Sequence, residues 1–380
     1  MTHGRLKVLT VVGTRPEVVK LSRVMFELDQ HMDHVLVHTG QNYDYELNEV
    51  FFEELGIRRP DYFLDVASAT VAETIAAIIS RSDEVLARER PDAVLLYGDT
   101  NSCLAVIVAK RRKIPVFHME AGNRSFDQRV PEEVNRRIVD HLSDVNMTNS
   151  EHARRYLIAE GLRPELIIKT GSPMREVLDH VLQDFDSQAP LYRLQLTVGE
   201  YLLVSCHREE NVDSPRQLEA LVTSLRELHA EHDVPVVVST HPRTRRRLEE
   251  MGLQYEGHGI LWSKPFGFRE YLALQMHAKC VISDSGTITE ESSLVGFPAV
   301  MIREAHERPE GADVGVLPFV GLTEGRLAEA VRLVVSQHDA SLESRLVPDY
   351  ASANVSHAVV RIILSYTGYI NRVIWRRASG

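Results

Sequence analysis

The chain has 380 residues, of which 44% are hydrophobic and 26% charged, and its formal net charge is −11. This length predicts two domains that each bury a core, and the acidic balance argues against a nucleic-acid partner, which needs a basic face. No apolar run reaches the roughly 18 residues of a membrane span, so we expect no membrane partner. Three separated cysteines and an N-terminus without a signal-peptide pattern favour a cytoplasmic protein.

Short β-branched runs alternate with helical stretches from the N-terminus onward. In chain order they predict buried strands over Lys7–Val12, Asp33–His38, Ala93–Tyr97, Val116–Met119, Val145–Thr148 and Ile167–Thr170. Such alternation is typical of a parallel sheet covered by helices on both faces. We therefore predict a Rossmann-like domain over residues 1–175, followed by a polar hinge that contains Pro190.

A second series of the same character follows the hinge. Its predicted strands are Tyr201–Ser205, Val234–Ser239, Ile260–Trp262, Lys279–Ser283 and Ala299–Ile302. This predicts a second Rossmann-like domain over residues 176–360, and the helical spacing of residues 361–380 predicts a C-terminal helix that crosses back to the first domain. The expected fold class is α/β, with two Rossmann-like domains facing across a cleft, which is the architecture of the glycosyltransferase B fold.

Two carboxylates follow neighbouring predicted strands of the first domain. Asp99 comes just after the strand Ala93–Tyr97, and Glu120 comes directly after Val116–Met119. Open α/β sheets bind their ligands at the carboxyl ends of their strands, so the two side chains are candidates for an acid/base pair. Asp99 has an alternative interpretation as a helix N-cap, which requires no catalysis.

Further carboxylates stand in the segment Pro131-Glu132-Glu133. This is a typical first helical turn, because the helix dipole favours carboxylates there. Adjacent helical residues diverge by about 100°, so we expect at most one of Glu132 and Glu133 to point into a site.

The first strand leads into the turn Gly13-Thr14-Arg15-Pro16-Glu17. This turn is not Gly-x-Gly-x-x-Gly, so a bound dinucleotide is not expected. Arg15 and Lys20 are candidates for binding an anion, and the alternative is that both are solvated residues of a helix start.

The clearest phosphate signal lies in the second domain, after the strand that ends at Ser283. A helix predicted to begin at Ser285-Gly286-Thr287 would present free backbone amides, which suit a diphosphate. One turn later, Glu290 or Glu291 is placed to accept hydrogen bonds from a ribose diol, or else completes a capping box.

Weaker signals follow other strands of this domain. His207 and Arg208 suit a ligand-facing edge, whereas Cys206 is predicted to be packed, because neighbours on a strand point to opposite faces. His241 closes another strand. Phe266 is a candidate for stacking on a base, with core packing as the alternative.

Taken in order, these segments resemble the non-hydrolysing UDP-N-acetylglucosamine 2-epimerases over nearly the whole chain. The matching motifs are Gly13-Thr14-Arg15-Pro16-Glu17 with Lys20, Gly98-Asp99-Thr100, Glu120-Ala121-Gly122 with Arg124, Pro131-Glu132-Glu133 with Asn135-Arg136, His207-Arg208-Glu209, Ser283-Asp284-Ser285-Gly286 with Glu290-Glu291, and Glu307-Arg308-Pro309.

The resemblance implies a homodimer that acts on a UDP-sugar and needs no redox cofactor or metal. It implies inversion of C2 by elimination of UDP to a glycal, followed by re-addition, for surface polysaccharide or related glycoside biosynthesis. The implied substrate is either UDP-GlcNAc or UDP-ManNAc, or UDP-2-acetamido-2,6-dideoxy-L-talose. The implied catalytic residues are Asp99, Glu120, Glu132 and His207. The substrate-binding candidates, some implied by the resemblance and some by the strand-end signals, are Arg15, Lys20, Arg124, Arg136, Arg208, His241, Phe266, Ser285, Gly286, Thr287, Glu291 and Arg308.

Four segments are similar to one branch, the enzymes that make UDP-N-acetyl-L-fucosamine from UDP-2-acetamido-2,6-dideoxy-L-talose. They span residues 42–45, 101–103, 123–128 and 371–376. Residues 40–45 differ from the corresponding segment of those family members that are activated by their own substrate. The resemblance therefore does not imply allosteric activation of this protein. The alternatives are a hydrolysing 2-epimerase, a glycosyltransferase of the same architecture, and a non-catalytic nucleotide-sugar sensor.

Overall fold

A computed structural model describes residues 4–41, 52, 54–183, 185–252, 255–303, 308–322, 325–338 and 345–377. The chain divides into two compact units. Unit 1 comprises residues 1–181 and 348–380, and unit 2 comprises residues 182–347. Within the described ranges, no helix is long and apolar enough to cross a membrane.

Unit 1 is a parallel sheet of seven strands with helices between them. Its strands are β1 (Lys7–Val12), β2 (Asp33–His38), β3 (Tyr62–Phe63), β4 (Ala93–Tyr97), β5 (Val116–Met119), β6 (Val145–Thr148) and β7 (Ile167–Lys169), in the order β3-β2-β1-β4-β5-β6-β7. The described helices of the same unit are α1 (Arg15–His31), α2 (Val71–Glu89), α3 (Val106–Arg111), α4 (Pro131–Leu142), α5 (Glu151–Ala159) and α6 (Met174–Val181), with 3-10 turns at Asn101–Ala105 and Pro164–Leu166.

Unit 2 is a parallel sheet of five strands. Its strands are β8 (Leu202–Ser205), β9 (Val236–Ser239), β10 (Ile260–Ser263), β11 (Cys280–Ser283) and β12 (Ala299–Met301), in the order β10-β9-β8-β11-β12. Its described helices are α7 (Ala189–Leu194), α8 (Glu209–Val212), α9 (Pro215–His232), α10 (Pro242–Glu250), α11 (Phe268–His277), α12 (Ile288–Val295), α13 (Pro309–Val314) and α14 (Leu327–Ser336). The last helix of the chain, α15 (Val355–Val373), belongs to unit 1 and packs on α1.

The fold class predicted from the alternating pattern is confirmed, with a parallel sheet in each unit. The central strands are buried along their length because helices cover both faces, and the apolar side chains of each sheet form the cores. Predicted and observed strand bounds differ by a residue or two. For example, β9 begins at Val236 and not at Val234, because Pro235 has no amide to donate to the neighbouring strand.

The strand orders place a topological switch point in each sheet. In unit 1 the chain moves from β1 to β2 on one side and to β4 on the other, and in unit 2 β8 lies between β9 and β11 in the same way. Open α/β sheets bind ligands outside the carboxyl ends of the strands at such points. The segments after β1, β4, β8 and β11 are therefore the candidate functional segments.

Candidate active site

Asp99 and Glu120 are brought together by Arg136, a buried residue of α4. The side chains follow β4 and β5, which are paired neighbours, with Tyr97 opposite Met119. Arg136 Nη2 donates to Asp99 Oδ2 in a short contact and lies 3.2 Å from Glu120 Oε1. Tyr97 donates its hydroxyl to the other Glu120 oxygen at 2.9 Å. One guanidinium thus compensates two carboxylates at the sheet edge.

The backbone of Glu120 has φ of +58°, in the left-handed region that is unfavourable for a residue with a side chain. Arg136 Nη1 donates to the Glu120 carbonyl oxygen at 2.5 Å. A conformation of this kind costs on the order of 1–3 kcal/mol and persists only where its surroundings hold it. Arg136 therefore orients both the main chain and the side chain of Glu120.

A buried charge network lies beneath this loop, centred on Asp140 of α4. Asp140 accepts hydrogen bonds from His118 Nδ1 at 2.9 Å, from Arg124 Nη1 at 2.7 Å and from the Gly122 amide at 3.2 Å. Burial, the largest influence, raises the pKa of Asp140, but the His118 hydrogen bond and nearby positive charges together hold that pKa below its usual value. Asp140 is therefore an ionised anchor for the loop after β5.

His118 connects this network to the turn that carries Asp99. Its Nδ1 faces the Asp140 carboxylate, and its Nε2 lies 2.7 Å from the carbonyl oxygen of Gly98. His118 therefore ties the Asp140 carboxylate to the backbone just before Asp99.

Arg124 is buried and its donors are taken by the protein. Besides Asp140, it contacts both oxygens of Glu160, at 2.8 and 2.7 Å, and the carbonyl of Asn123. The sequence puts Arg124 among the substrate-binding candidates. In the structure its contacts hold the loop after Glu120.

The two glutamates at the start of α4 face in different directions. Glu133 is buried and accepts hydrogen bonds from the amide of Ser125 at 2.8 Å and from its hydroxyl at 3.2 Å. Glu132 is exposed and lies one turn before Arg136, on the same face of the helix. Of these two glutamates only Glu132 has an exposed side chain, which agrees with the expected divergence of helical neighbours.

The turn after β1 supplies the remaining candidates of unit 1. Arg15 is half-buried at the first position of α1, and Lys20 is buried further along that helix. The predicted segment Asn42–Tyr45 lies outside the described residues, as does Glu307 of unit 2.

In unit 2, Asp284 holds the turn that carries His207 and Arg208. The Asp284 carboxylate, fully buried after β11, accepts from the amides of His207 at 3.0 Å and Arg208 at 2.9 Å, and from Asn211 Nδ2 at 3.1 Å. The ring Nδ1 of His207 lies 3.3 Å from the same carboxylate, while that ring stays partly exposed. The sequence motif contains Asp284, but its partners are 73 or more positions away, so only the fold reveals this role.

The turn from Ser285 to Thr287 precedes helix α12, which begins at Ile288 and not at Ser285 as predicted. The hydroxyls of Ser285 and Thr287 contact each other at 3.0 Å. A methyl group added at Gly286 would lie 3.9 Å from a guanidinium nitrogen of Arg208 and of Arg303. Two arginines therefore converge on a glycine turn at a helix N-terminus, an arrangement that suits an anion. From the sequence, Arg303 is only a weaker signal that follows the strand Ala299–Ile302.

The two glutamates of α12 have separate partners. Buried Glu290 lies 3.2 Å from Arg308 Nη2, and Glu291 accepts a hydrogen bond from Gln275 at 2.7 Å. The sequence did not identify Gln275. The charge of Arg308 is therefore compensated within the unit.

The remaining candidates of unit 2 have roles in local structure. The ring of His241 accepts from the Arg243 amide at 3.2 Å and caps α10. Phe266 lies in an apolar core cluster, which matches its packing alternative, and Cys206 is packed in another.

Comparisons with protein families and with solved structures point to the same family. A protein-family model described as UDP-N-acetylglucosamine 2-epimerase matches residues 25–364. The structure of UDP-N-acetylglucosamine 2-epimerase from Rickettsia bellii is 54% identical, with a TM-score of 0.91, and the match covers 98% of this chain and 100% of that one.

Two further relatives carry information on ligands in their descriptions. The crystal structure of Methanocaldococcus jannaschii UDP-GlcNAc 2-epimerase in complex with UDP-GlcNAc and UDP is 32% identical, with a TM-score of 0.86 over 95% of this chain and 100% of that one. The UDP-2,3-diacetamido-2,3-dideoxy-D-glucuronate 2-epimerase of Pseudomonas aeruginosa is 34% identical over 332 residues, 86% of this chain and 92% of that protein.

Proposed function

The chain belongs to the UDP-N-acetylglucosamine 2-epimerase family, a family of isomerases, and we propose that it inverts C2 of a UDP-N-acetylhexosamine by eliminating UDP and adding it back. The observation that carries this mechanism is the pair of carboxylates, Asp99 and Glu120, joined by Arg136 at the carboxyl edge of the unit 1 sheet. Inversion at carbon requires a proton to leave one face and another to arrive on the opposite face, and two carboxylates supply that pair of groups.

The chemistry explains why UDP must depart. The C2 hydrogen is not acidified by a carbonyl, so its removal alone would be difficult. When a base takes this proton, the electron pair of the C–H bond forms the C1=C2 double bond. At the same time the C1–O bond breaks, and UDP leaves with the electron pair of that C1–O bond. In the return step UDP adds to C1 and a proton is delivered to the other face of C2. The enzyme must therefore stabilise a charge that develops only as the C1–O bond breaks.

Asp99 and Glu120 are assigned to the two proton transfers, without an assignment of faces. Glu132 is assigned as their partner, because it lies on the same face of α4 as Arg136. The strained backbone of Glu120 and its contacts with Arg136 and Tyr97 support a preorganised position for this carboxylate.

The nucleotide is assigned to unit 2. The turn Ser285–Thr287 and the arginines Arg208 and Arg303 are suited to the diphosphate, and His207 to the charge on its departing oxygen. Glu291 and Arg308 are assigned to the nucleoside, and Arg15 and Lys20 of unit 1 to the same substrate. The description of the Methanocaldococcus jannaschii relative as a complex with UDP-GlcNAc and UDP supports this class of ligand.

For the sugar, we propose UDP-2-acetamido-2,6-dideoxy-L-talose, with UDP-N-acetyl-L-fucosamine as the product. The support is the likeness of residues 101–103, 123–128 and 371–376 to that branch. The comparison substrates are UDP-GlcNAc and, from the Pseudomonas aeruginosa relative, UDP-2,3-diacetamido-2,3-dideoxy-D-glucuronate. The talose compound should have the highest kcat/KM of the three, and a higher value for either of the others would overturn this choice.

Incubation with a UDP-sugar in deuterium oxide tests the mechanism. Elimination and re-addition predict deuterium at C2 of the recovered epimer, with no free sugar accumulating. Epimerisation without deuterium would reject the mechanism, and release of free sugar with UDP would identify a hydrolysing epimerase. Binding of UDP without any exchange at C2 would identify a sensor, and transfer of the sugar to an acceptor would identify a glycosyltransferase.

A further inference from the structure

Glu17, in the first turn of α1, is almost completely buried, with 2% of its surface exposed. Its Oε2 accepts hydrogen bonds from the amides of Gly13 and Thr14, both at 2.7 Å, and from the Thr14 hydroxyl at 3.1 Å. These contacts form a capping box, which stabilises the start of the helix and requires only one carboxylate oxygen.

The second oxygen of Glu17 makes contacts that a capping box does not need. Its Oε1 accepts a hydrogen bond from the hydroxyl of Thr100 at 2.6 Å and lies 3.7 Å from the thiol sulfur of Cys103. Thr100 directly follows Asp99 and also accepts the Ser102 amide, at 3.2 Å. A hydroxyl has one proton to donate, so Glu17 is the residue that sets the orientation of the Thr100 hydroxyl.

The two turns joined by Glu17 are also in close contact elsewhere. A Cβ at Gly13 would lie 1.9 Å from Ser102 Oγ, so only glycine fits at this position. The hydroxyl of Ser102 in turn contacts that of Thr39 at 2.7 Å. With so little space between them, a shift of the turn after β1 must be passed to the turn after β4.

We propose that Glu17 is a positioning residue for the epimerisation, which fixes Asp99 by tying the turn that carries Arg15 to the turn that carries Asp99. The inference rests on the role proposed above for Asp99. Glu17 is buried among protein donors and acts through Thr100. Its removal should therefore lower turnover more than it weakens binding of the nucleotide.

The Thr100→Val substitution tests this inference most directly, because it deletes the hydroxyl and keeps the shape of the side chain. Glu17 then retains its contacts with Gly13 and Thr14, so the capping box survives. We expect kcat and the rate of deuterium entry at C2 to fall about 10- to 100-fold, the effect of a small misplacement of a reacting group. The KM for the UDP-sugar should change by less than about threefold, since the binding groups remain.

Thr100→Ser is the matched control, since it restores the hydroxyl and should keep kcat within about threefold of the wild-type value. Glu17→Gln is the second variant if Thr100→Val does not fold, and it should show the same fall in kcat with little change in KM. Wild-type turnover in Thr100→Val or in Glu17→Gln, or a loss explained by KM alone, would overturn the inference. If the wild-type enzyme itself fails to introduce deuterium at C2, the proposed mechanism fails instead, so the two failures are distinguishable.

Discussion

Arg136 contacts Glu120 twice, donating to its backbone carbonyl oxygen at 2.5 Å and lying 3.2 Å from its side-chain Oε1. The main-chain contact holds a left-handed backbone, and the side-chain contact orients the carboxylate. A single guanidinium can do both because its donors are arranged in a rigid planar fork.

Arg136→Lys should therefore lower kcat by about 100-fold or more, although the positive charge is kept. A lysine ammonium is a point donor and cannot contact the carbonyl, Glu120 and Asp99 in the same geometry. The measurement is steady-state turnover of the UDP-sugar. Arg137→Lys, at the next residue of the same helix, is the matched control. It should leave kcat within about twofold, because its partner Glu133 has a structural role and is not one of the assigned catalytic groups. Equal effects of the two changes would contradict this prediction.

Asp99→Asn and Glu120→Gln should each lower turnover by roughly 10²- to 10⁴-fold, as is typical for the loss of a general acid or base. Asp127→Asn is a control with the same chemical change, since Asp127 pairs with exposed Arg129 in the loop after Glu120. Its activity should be that of the wild type. Initial rates at saturating UDP-sugar measure the effect, and wild-type rates in either carboxylate variant would reject the assignment.

Asp140→Asn should destabilise unit 1 strongly, because it leaves His118 and Arg124 buried beside a neutral amide. Breaking a buried ion pair in this way costs on the order of 3–5 kcal/mol. The folded-state pKa of Asp140 is lowered, so its contribution to stability is present above the unfolded-state pKa and is lost as the pH falls through the folded-state value.

Thermal unfolding at neutral pH measures the effect of Asp140→Asn. The control is Asp83→Asn, which removes a surface pair with Arg112 and should cost less than about 1 kcal/mol. A Tm for Asp140→Asn as high as that of the control variant would show that the buried network does not hold the loop.

Glu17 should make the stability of unit 1 depend on pH near neutrality. Burial raises the pKa of Glu17 from 4.5 to about 7, although hydrogen bonds from Thr100, Gly13 and Thr14 act in the opposite direction. A titratable group in contact with Glu17 is the thiol of Cys103 in the facing turn, and the charges of Asp99 and Arg136 in turn act on that thiol.

Because the folded-state pKa is raised, the stabilising contribution of Glu17 is complete below the unfolded value near 4.5 and is lost as the pH rises through about 7. The Tm of the wild type should therefore fall relative to the Tm of Glu17→Gln as the pH rises from about 4.5 to about 7. A rise in the pKa of Glu17 from 4.5 to about 7 corresponds to about 3 kcal/mol. A Tm difference that stays constant from pH 4.5 to 8 would contradict the raised pKa.

Asp284→Asn should weaken UDP binding, because an amide nitrogen would oppose the amide donors of His207 and Arg208. We expect the Kd for UDP to rise about 10-fold or more, measured by calorimetry. Asp213→Asn is the control in the same unit, since Asp213 pairs with Arg243 and Arg247 at the surface. An unchanged Kd in Asp284→Asn would remove this carboxylate from the nucleotide site.

Strand positions and strand-end residues were predictable from sequence because both depend on local pattern. Buried parallel strands are short apolar runs, and their carboxyl ends meet at one edge, so Asp99 and Glu120 could be paired without coordinates. The divergence of helical neighbours predicted that at most one of Glu132 and Glu133 faces a site, and the family resemblance selected Glu132. The two-residue strand Tyr62–Phe63 was missed, since two residues carry no periodicity.

The sequence by itself determined the α/β class, the positions of most strands along the chain and which segments follow the carboxyl ends of strands, because hydrophobic period and chain order are local properties. The tertiary structure decided which charges compensate one another. Arg136 meets Asp99 across 37 positions, Asp284 meets the amide of His207 across 77, and Glu17 meets Thr100 across 83. No local pattern encodes such pairs, since each depends on how helices pack against strand ends that are distant in the chain.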